Sequence, residues 1–402
     1  MRKITILFNS ALLLGLFFQS CEKETETPDE GELQSAKITA NITQNTRWTA
    51  GNVYVLGGRI TVTDGATLTI EPGTIIKGEA GTGANATALL VARGGKLIAE
   101  GTAAAPIIFT SIADEIEPAD IAAGNFASPN LDPDVNGLWG GVLLLGKAPI
   151  SASNTSGDVT EVQIEGIPTS DQNGLYGGNV PGDNSGVLKY ISIRHGGTNI
   201  GSGNEINGLT LGGVGSGTVI ENIEVVANQD DGIEWFGGTV SVKNAVVWNA
   251  GDDAIDTDQS WAGTLDNFVI LTPGDHNFEL DGPEGSLKAG HIIKNGTVVA
   301  NDPAAGRNSA DLINLDDNSR VELKNIFFTG ISDGQKINRV TFTTGQVSFE
   351  GIQLKVAADK LASHVNGAVP AGVTSVSSPT VGANTSVLGW TWAAKAGKLS
   401  GF

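Results

Sequence analysis

The chain has 402 residues, a formal charge of −20, 55 glycines and one cysteine. A single cysteine excludes an intrachain disulfide framework and any Cys-rich zinc site. The acidic balance argues against nucleic acid and anionic lipid head groups as partners, because both need basic patches; it favours cations or basic partners.

Residues 1–20 have the anatomy of an export signal. Arg2 and Lys3 form a positive start, and Ile4 to Phe18 is an apolar run too short for a good membrane span. Ser20 then precedes Cys21. This arrangement resembles a bacterial lipoprotein signal, which implies cleavage before Cys21 and lipidation of that residue. Removing residues 1–20 deletes two cations and no acids, so the mature charge would be 22 − 44 = −22. Residues 21–34 contain EKETETPDEGE, acidic and almost without apolar side chains, and read as a disordered tether. An acidic run after a lipidated cysteine resembles the export signal of surface lipoproteins in the Bacteroidetes. The resemblance implies an outer-membrane anchor facing outward.

From Ser35 the pattern becomes short β runs. Residues 59–79 and 88–111 carry runs of Val, Ile, Leu and Thr broken by Asp-Gly, Pro-Gly and Gly-Gly turns. Two segments interrupt the pattern, 112–136 (rich in Asp, Pro and Ala) and 151–185 (rich in Gly, Ser, Asp and Asn). Loops of that length inside a compact domain are functional or disordered. Between them GLWGGVLLLG (137–146) reads as one buried strand, and LKYISIRHGG (188–197) opens the next coil.

A repeat then becomes visible. Asn222, Asn244 and Asn267 are 22 and 23 residues apart, and Asn295 and Asn325 continue the series at 28 and 30. Each Asn precedes an apolar run, a carboxylate cluster and a second short apolar run. A period of 20–30 residues with strand content predicts a solenoid. The Asn residues read as structural, tolerating left-handed backbone and forming a ladder of side-chain amides. Residues 35–335 are expected to form the solenoid and 336–402 its terminal coils and cap. VAADKLASHV (356–365) reads as a short amphipathic helix, and Trp390 and Trp392 as cap side chains.

Laying the coils over one another aligns Asp231, Asp253 and His276. Glu234, Asp256 and Glu279 fall three residues later. Asp258 and Asp281 fall two after that, with Asp316 following if INLD matches FELD; Asp230 and Asp252 add a further column. Stacked charges about 5 Å apart repel by about 3 kcal/mol per pair at an effective dielectric near 20. Raised pKa values, full hydration or a cation would relieve this. The oxygen-rich donor set favours Ca2+ over zinc or copper, with Asp231, Asp253, Glu234, Asp256, Asp258, Glu279 and Asp281 as ligands. A solvated acidic face or turn-capping carboxylates would account for the same pattern without a ligand. Trp235, Phe236, Trp248 and Trp261 lie beside the acids, either exposed as platforms for sugar rings or inward as core.

GATLTIEPGTIIKG followed by GGKLIAEGTAAAPIIFTS resembles the N-terminal coils of right-handed parallel β-helix proteins of bacterial surfaces. DDGIEWFGGTV with GDDAIDTDQSWAG is similar to a group of secreted or lipidated β-helix proteins without an assigned activity. The carboxylate cluster resembles the polygalacturonases, with Asn228-Gln-Asp230-Asp231 and Gly251-Asp252-Asp253 in place of their acidic motifs. Gly274-Asp-His276-Asn matches a third motif only approximately, and the family's Arg-x-Lys pair is missing. That resemblance implies Asp231 or Asp253 as acid and Asp252 as base, with His276 beside them, in an inverting hydrolase. Polysaccharide lyases of the same fold use calcium with a basic residue, for which Arg194 and His195 would have to approach the carboxylates. The reading is an all-β, right-handed parallel β-helix. Its expected role is that of a non-enzymatic surface module for an extended glycan or a neighbouring outer-membrane protein, and a pectin- or uronate-active enzyme is the alternative.

Overall fold

A computed structural model describes residues 35–200, 206–302, 306–340 and 346–401. Cys21, the export signal and the tether lie outside the described residues.

The chain winds as a right-handed parallel β-helix. A 15-stranded sheet and an 8-stranded sheet run its length. Each middle coil gives one strand to each sheet. Val219–Val226, Val242–Trp248, Thr264–Leu271 and His291–Val299 stack in the long sheet. Ile233–Phe236, Ile255–Asp258 and Phe278–Leu280 stack in the short one. Register is set by apolar residues that fall on the inner face in every coil, as in Ile220, Val242, Leu265, Ile293 and Leu323. A one-residue slip would turn that whole row outward.

The Asn residues sit where each long strand bends. Asn222, Asn244, Asn267, Asn295 and Asn325 all have φ between 53° and 60°. Asn244 Nδ2 donates to Asn222 Oδ1 at 3.0 Å, Asn267 Nδ2 to Asn244 Oδ1 at 2.8 Å, and Asn325 Nδ2 to Asn295 Oδ1 at 3.2 Å. The ladder has one break. Asn267 exchanges hydrogen bonds with the backbone of Asn384, and Asn295 turns to Asp266 Oδ1 at 2.7 Å. The residue after Asn295 must be Gly296, because a Cβ there would lie 2.0 Å from the Phe268 ring.

The interior is one continuous apolar cluster from Ile42 to Val373. Trp235 and Trp261 stack inside it at 4.5 Å, and His291 lies against Trp261. GLWGGVLLLG contributes a strand only at Val142–Leu145. Trp139 is instead a core plug whose Nε1 donates to the Arg194 carbonyl at 2.7 Å.

Both insertions are ordered and cover outward apolar faces. In the first, a helix at Pro118–Ala122 with Ile116, Ile121 and Phe126 packs on Ile75 and Ile108. In the second, Ile164, Ile167 and Tyr176 pack on Leu90, Leu143 and Leu145. At the far end the expected amphipathic helix is a 3-10 turn, Ala358–His364, with Leu361 against the last coils. Trp390 and Trp392 do not lie there. The tail folds back to mid-solenoid, where Trp390 meets Tyr190 and Trp392 meets His195 and Trp248. The reason is an outward row of Val226, Val246, Trp248, Val269 and Leu271 that needs cover more than the end does.

Candidate functional site: stacked carboxylates on the short sheet

Strand pairing places Glu234, Asp256 and Glu279 in one outward row, preceded by Thr210 and followed by Asn314. Asp258 follows two residues on and pairs with Phe236. Asp281 and Asp316 extend its row, since Leu280 pairs with Leu315 and INLD therefore does match FELD. Earlier in the same sheet the outward positions are apolar, as at Leu143 and Leu145. The sheet face thus changes from a covered apolar half to an acidic half.

The turn before each short strand carries the other column. Asp231 Oδ1 accepts the Asp253 backbone N–H at 3.0 Å, and Asp253 Oδ1 accepts that of His276 at 2.6 Å. Asp311 continues the pattern by accepting the Lys336 N–H at 2.9 Å. Each carboxylate ties its coil to the next, and Asp231 and Asp253 are only 6% and 2% exposed. Asp252 faces solvent and Asp230 is half-buried. Among the described residues, three groups bring one ligand atom per residue to within 4.8 Å of one another: Asp230, Asp231 and Asp252; Asp231, Glu234 and Asp256; Asp253, Asp275 and His276. Glu279, Asp258 and Asp281 share the rows but belong to none of these groups.

Burial, reinforced by neighbouring carboxylates, pushes Asp231, Glu234 and Asp256 well above the usual carboxylate range. Burial with Asp281 and Glu284 nearby lifts Asp258 to about 8. Burial and a hydrogen bond to Asp253 lift Glu279 to about 7, and burial beside Glu279 lifts Asp281 to about 6. Burial alone would lower His276; its pairing with Asp253, Nδ1 to Oδ1 at 3.0 Å, outweighs that and raises it to about 9. Glu234 hydrogen-bonds Asp258 and also accepts from Asn207 Nδ2. Among the described residues Asp256 Oδ1 finds no hydrogen-bond partner.

Asp275 and Asn207 escape sequence reasoning for different reasons. Asp275 adjoins His276 in the aligned repeat and was legible there. Asn207 lies one coil before the repeat, with nothing to mark it.

Two open alternatives are decided, both against a substrate-facing role. No Trp serves as an exposed platform beside the acids: Trp235 and Trp261 are inside, Trp248 lies under Trp392, and Phe236 packs on Tyr176. Arg194 and His195 do not approach the columns. They sit on the long sheet, where Arg194 is 1% exposed, 4.9 Å under the Trp392 ring and 3.7 Å from Glu224. Glu224 is held in turn by Ser192 Oγ at 2.6 Å and the Ala393 N–H at 2.9 Å. The strand pattern turns both residues to the tail's side of the long sheet.

A family model described as a pectate-lyase-like β-helix domain matches residues 40–124 and 126–395. No curated protein and no solved structure matches the chain.

Proposed function

The chain belongs to the pectate-lyase-like β-helix family, and from that premise we propose that it is a non-enzymatic binding or scaffold module. One observation carries this reading. The carboxylates best placed for acid–base work, Asp231 and Asp253, are buried and committed to the next coil's backbone amides. The candidate lyase bases are covered as well, since Arg194 and His195 lie beneath Trp392. A hydrolase or lyase needs such groups at a substrate-accessible surface.

The module is lipid-anchored through Cys21 at the outer membrane and presents its solenoid to an extended glycan or a neighbouring outer-membrane protein. Calcium stabilises the acidic rows. Two of the three close groups are all-carboxylate, the donor chemistry calcium prefers, and Asp256 Oδ1 leaves an acceptor unused. An ion there would replace the protons that otherwise relieve the repulsion.

Incubation with a panel of polysaccharides should yield no cleavage products. Defined oligosaccharides that disappear in the solvent-facing Asp252→Asn variant would overturn the non-enzymatic reading. Melting should fall on chelation and recover with calcium, and an unchanged Tm in both conditions removes the calcium. Cys21→Ser should move the protein from the membrane to the soluble fraction.

A further inference from the structure

One long face of the solenoid is left uncovered by both insertions and by the tail. It is the outward side of the long sheet before the Asn bend. In register across six coils it presents Glu100, Lys189, Glu221, Lys243, Asp266 and Lys294. These six charges alternate along about 24 Å, taking ~4.8 Å per strand, and the alternation stops at the next coil, where Lys324 follows Lys294 in register. Beside them runs a second outward column of Ile98, Val187, Val219, Ser241, Thr264 and Ile292.

Alternation alone has an ordinary explanation, since opposite charges on neighbouring strands stabilise a sheet. The flanking residues behave that way: Lys189 pairs with Glu100 at 3.7 Å and Lys294 with Asp266 at 3.5 Å. The two central residues do not. Glu221 and Lys243 are adjacent in register, yet among the described residues neither forms an ion pair. A depression of about 410 Å³ opens beside them, lined in part by Val219, Thr264, Asp266 and Lys294.

The six-residue stretch from Glu100 to Lys294 is also a charge palindrome. A two-fold axis along the strand direction, passing between Glu221 and Lys243, reverses the coil order. It sets Glu221 against the partner's Lys243, Lys189 against the partner's Asp266, and Glu100 against the partner's Lys294. Every facing pair is opposite in sign. The neighbouring column meets itself as well, with Ile98 against the partner's Ile292, Val187 against the partner's Thr264 and Val219 against the partner's Ser241, an apolar residue in every pair. The centre of the palindrome coincides with the two charges left unpaired within the chain. Isologous contacts require this kind of self-complementarity.

We infer that this face docks on a second copy of the same chain, antiparallel and two-fold symmetric, with Glu221 and Lys243 of each copy paired across the axis. The occupant is another copy because an anionic glycan would meet as many carboxylates as lysines along the row.

Sedimentation equilibrium of the full chain at low ionic strength should show a monomer–dimer equilibrium in the micromolar range that weakens with salt. Glu221→Lys and Lys243→Glu should each weaken it by about tenfold or more, because each sets like charges face to face twice. Mixing the two variants should restore dimers as heterodimers, since every central pair is then opposite again. An intrachain defect cannot be repaired by mixing, so rescue separates docking from ladder stability. A wild-type chain that stays monomeric to about 100 μM, single variants that dimerise normally, or a mixture that does not recover would each overturn the inference.

Discussion

Two columns of like side chains run along this solenoid with opposite energetic characters. The Asn column largely closes on itself, because an amide is donor and acceptor at once: Asn244, Asn267 and Asn325 each donate Nδ2 to the Asn Oδ1 one coil away. The column of Glu234, Asp256 and Glu279 has the same strand register and cannot close, because ionised carboxylates only accept. It resorts to a hydrogen bond between Glu234 and Asp258 and to the side-chain amides of Asn207 and Asn314. Stacking in a β-helix therefore stabilises or destabilises according to whether the repeated group can be its own partner.

The largest test removes a rung from the self-satisfied column. Asn267→Ala loses the bond to Asn244 and both bonds to Asn384, and it leaves a Cβ residue at φ 60° without a compensating amide. Denaturant unfolding should show a loss of about 3 kcal/mol, from hydrogen bonds and left-handed strain together. A change under about 1 kcal/mol would mean that the ladder is ornament on a sheet stable without it.

The carboxylate column should reveal itself through pH. Asp258, Glu279 and Asp281 titrate near 8, 7 and 6 in the folded chain, above their unfolded values. The folded state therefore holds more protons, and stability falls as pH rises from about 4 to 8. His276, raised to about 9, adds stability below its unfolded value that is lost as pH climbs through 9. Buried His291 has the opposite sign: lowered to about 3, it costs stability as pH falls below its unfolded value near 6.5. With three raised carboxylates against one lowered histidine, Tm should be highest near pH 4–5 and fall toward pH 9, by roughly 5 °C or more. Calcium should flatten the alkaline limb and leave the acid limb unchanged. An alkaline limb indifferent to calcium would leave protons as the only relief.

Converting one acid rung into an amide brings the two columns together. In Asp256→Asn the new Nδ2 can donate to Glu234 or Glu279, its neighbours in register. Without calcium at pH 8, unfolding should show a gain of about 1–2 kcal/mol. With saturating calcium the sign should reverse, because a ligand is lost.

The repeat made much of this legible. Asn spacing announced the coils, and aligning them placed both carboxylate columns in the register that the strands adopt. The inward direction of Trp235 was also readable, since it alternates with Glu234 along a strand whose outward row is acidic. What escaped the sequence has no period. The tail returns to mid-solenoid through single contacts, Trp392 over Arg194 and Ala393 on Glu224. The insertions are ordered because apolar residues far away in sequence, Ile75 and Leu143 among them, need cover. Arg194 stayed open as a base for a lyase because nothing local foretold Glu224 or Trp392.

The smallest expected effect lies at the end of the Asn column. Asn325 is exposed, makes one ladder bond at 3.2 Å, and is followed in the column by Gly351, which has no amide to offer. Asn325→Gly keeps the left-handed backbone without strain and gives up that single exposed bond. It should cost only about 0.5 kcal/mol, with some of that due to the added freedom of the unfolded chain. The contrast with Asn267→Ala separates the two contributions to a rung, the amide bonds and the backbone conformation. If Asn325→Gly proved as costly as Asn267→Ala, the ladder would act cooperatively along its length, and the break at Asn384 would divide it into two units rather than merely interrupt it.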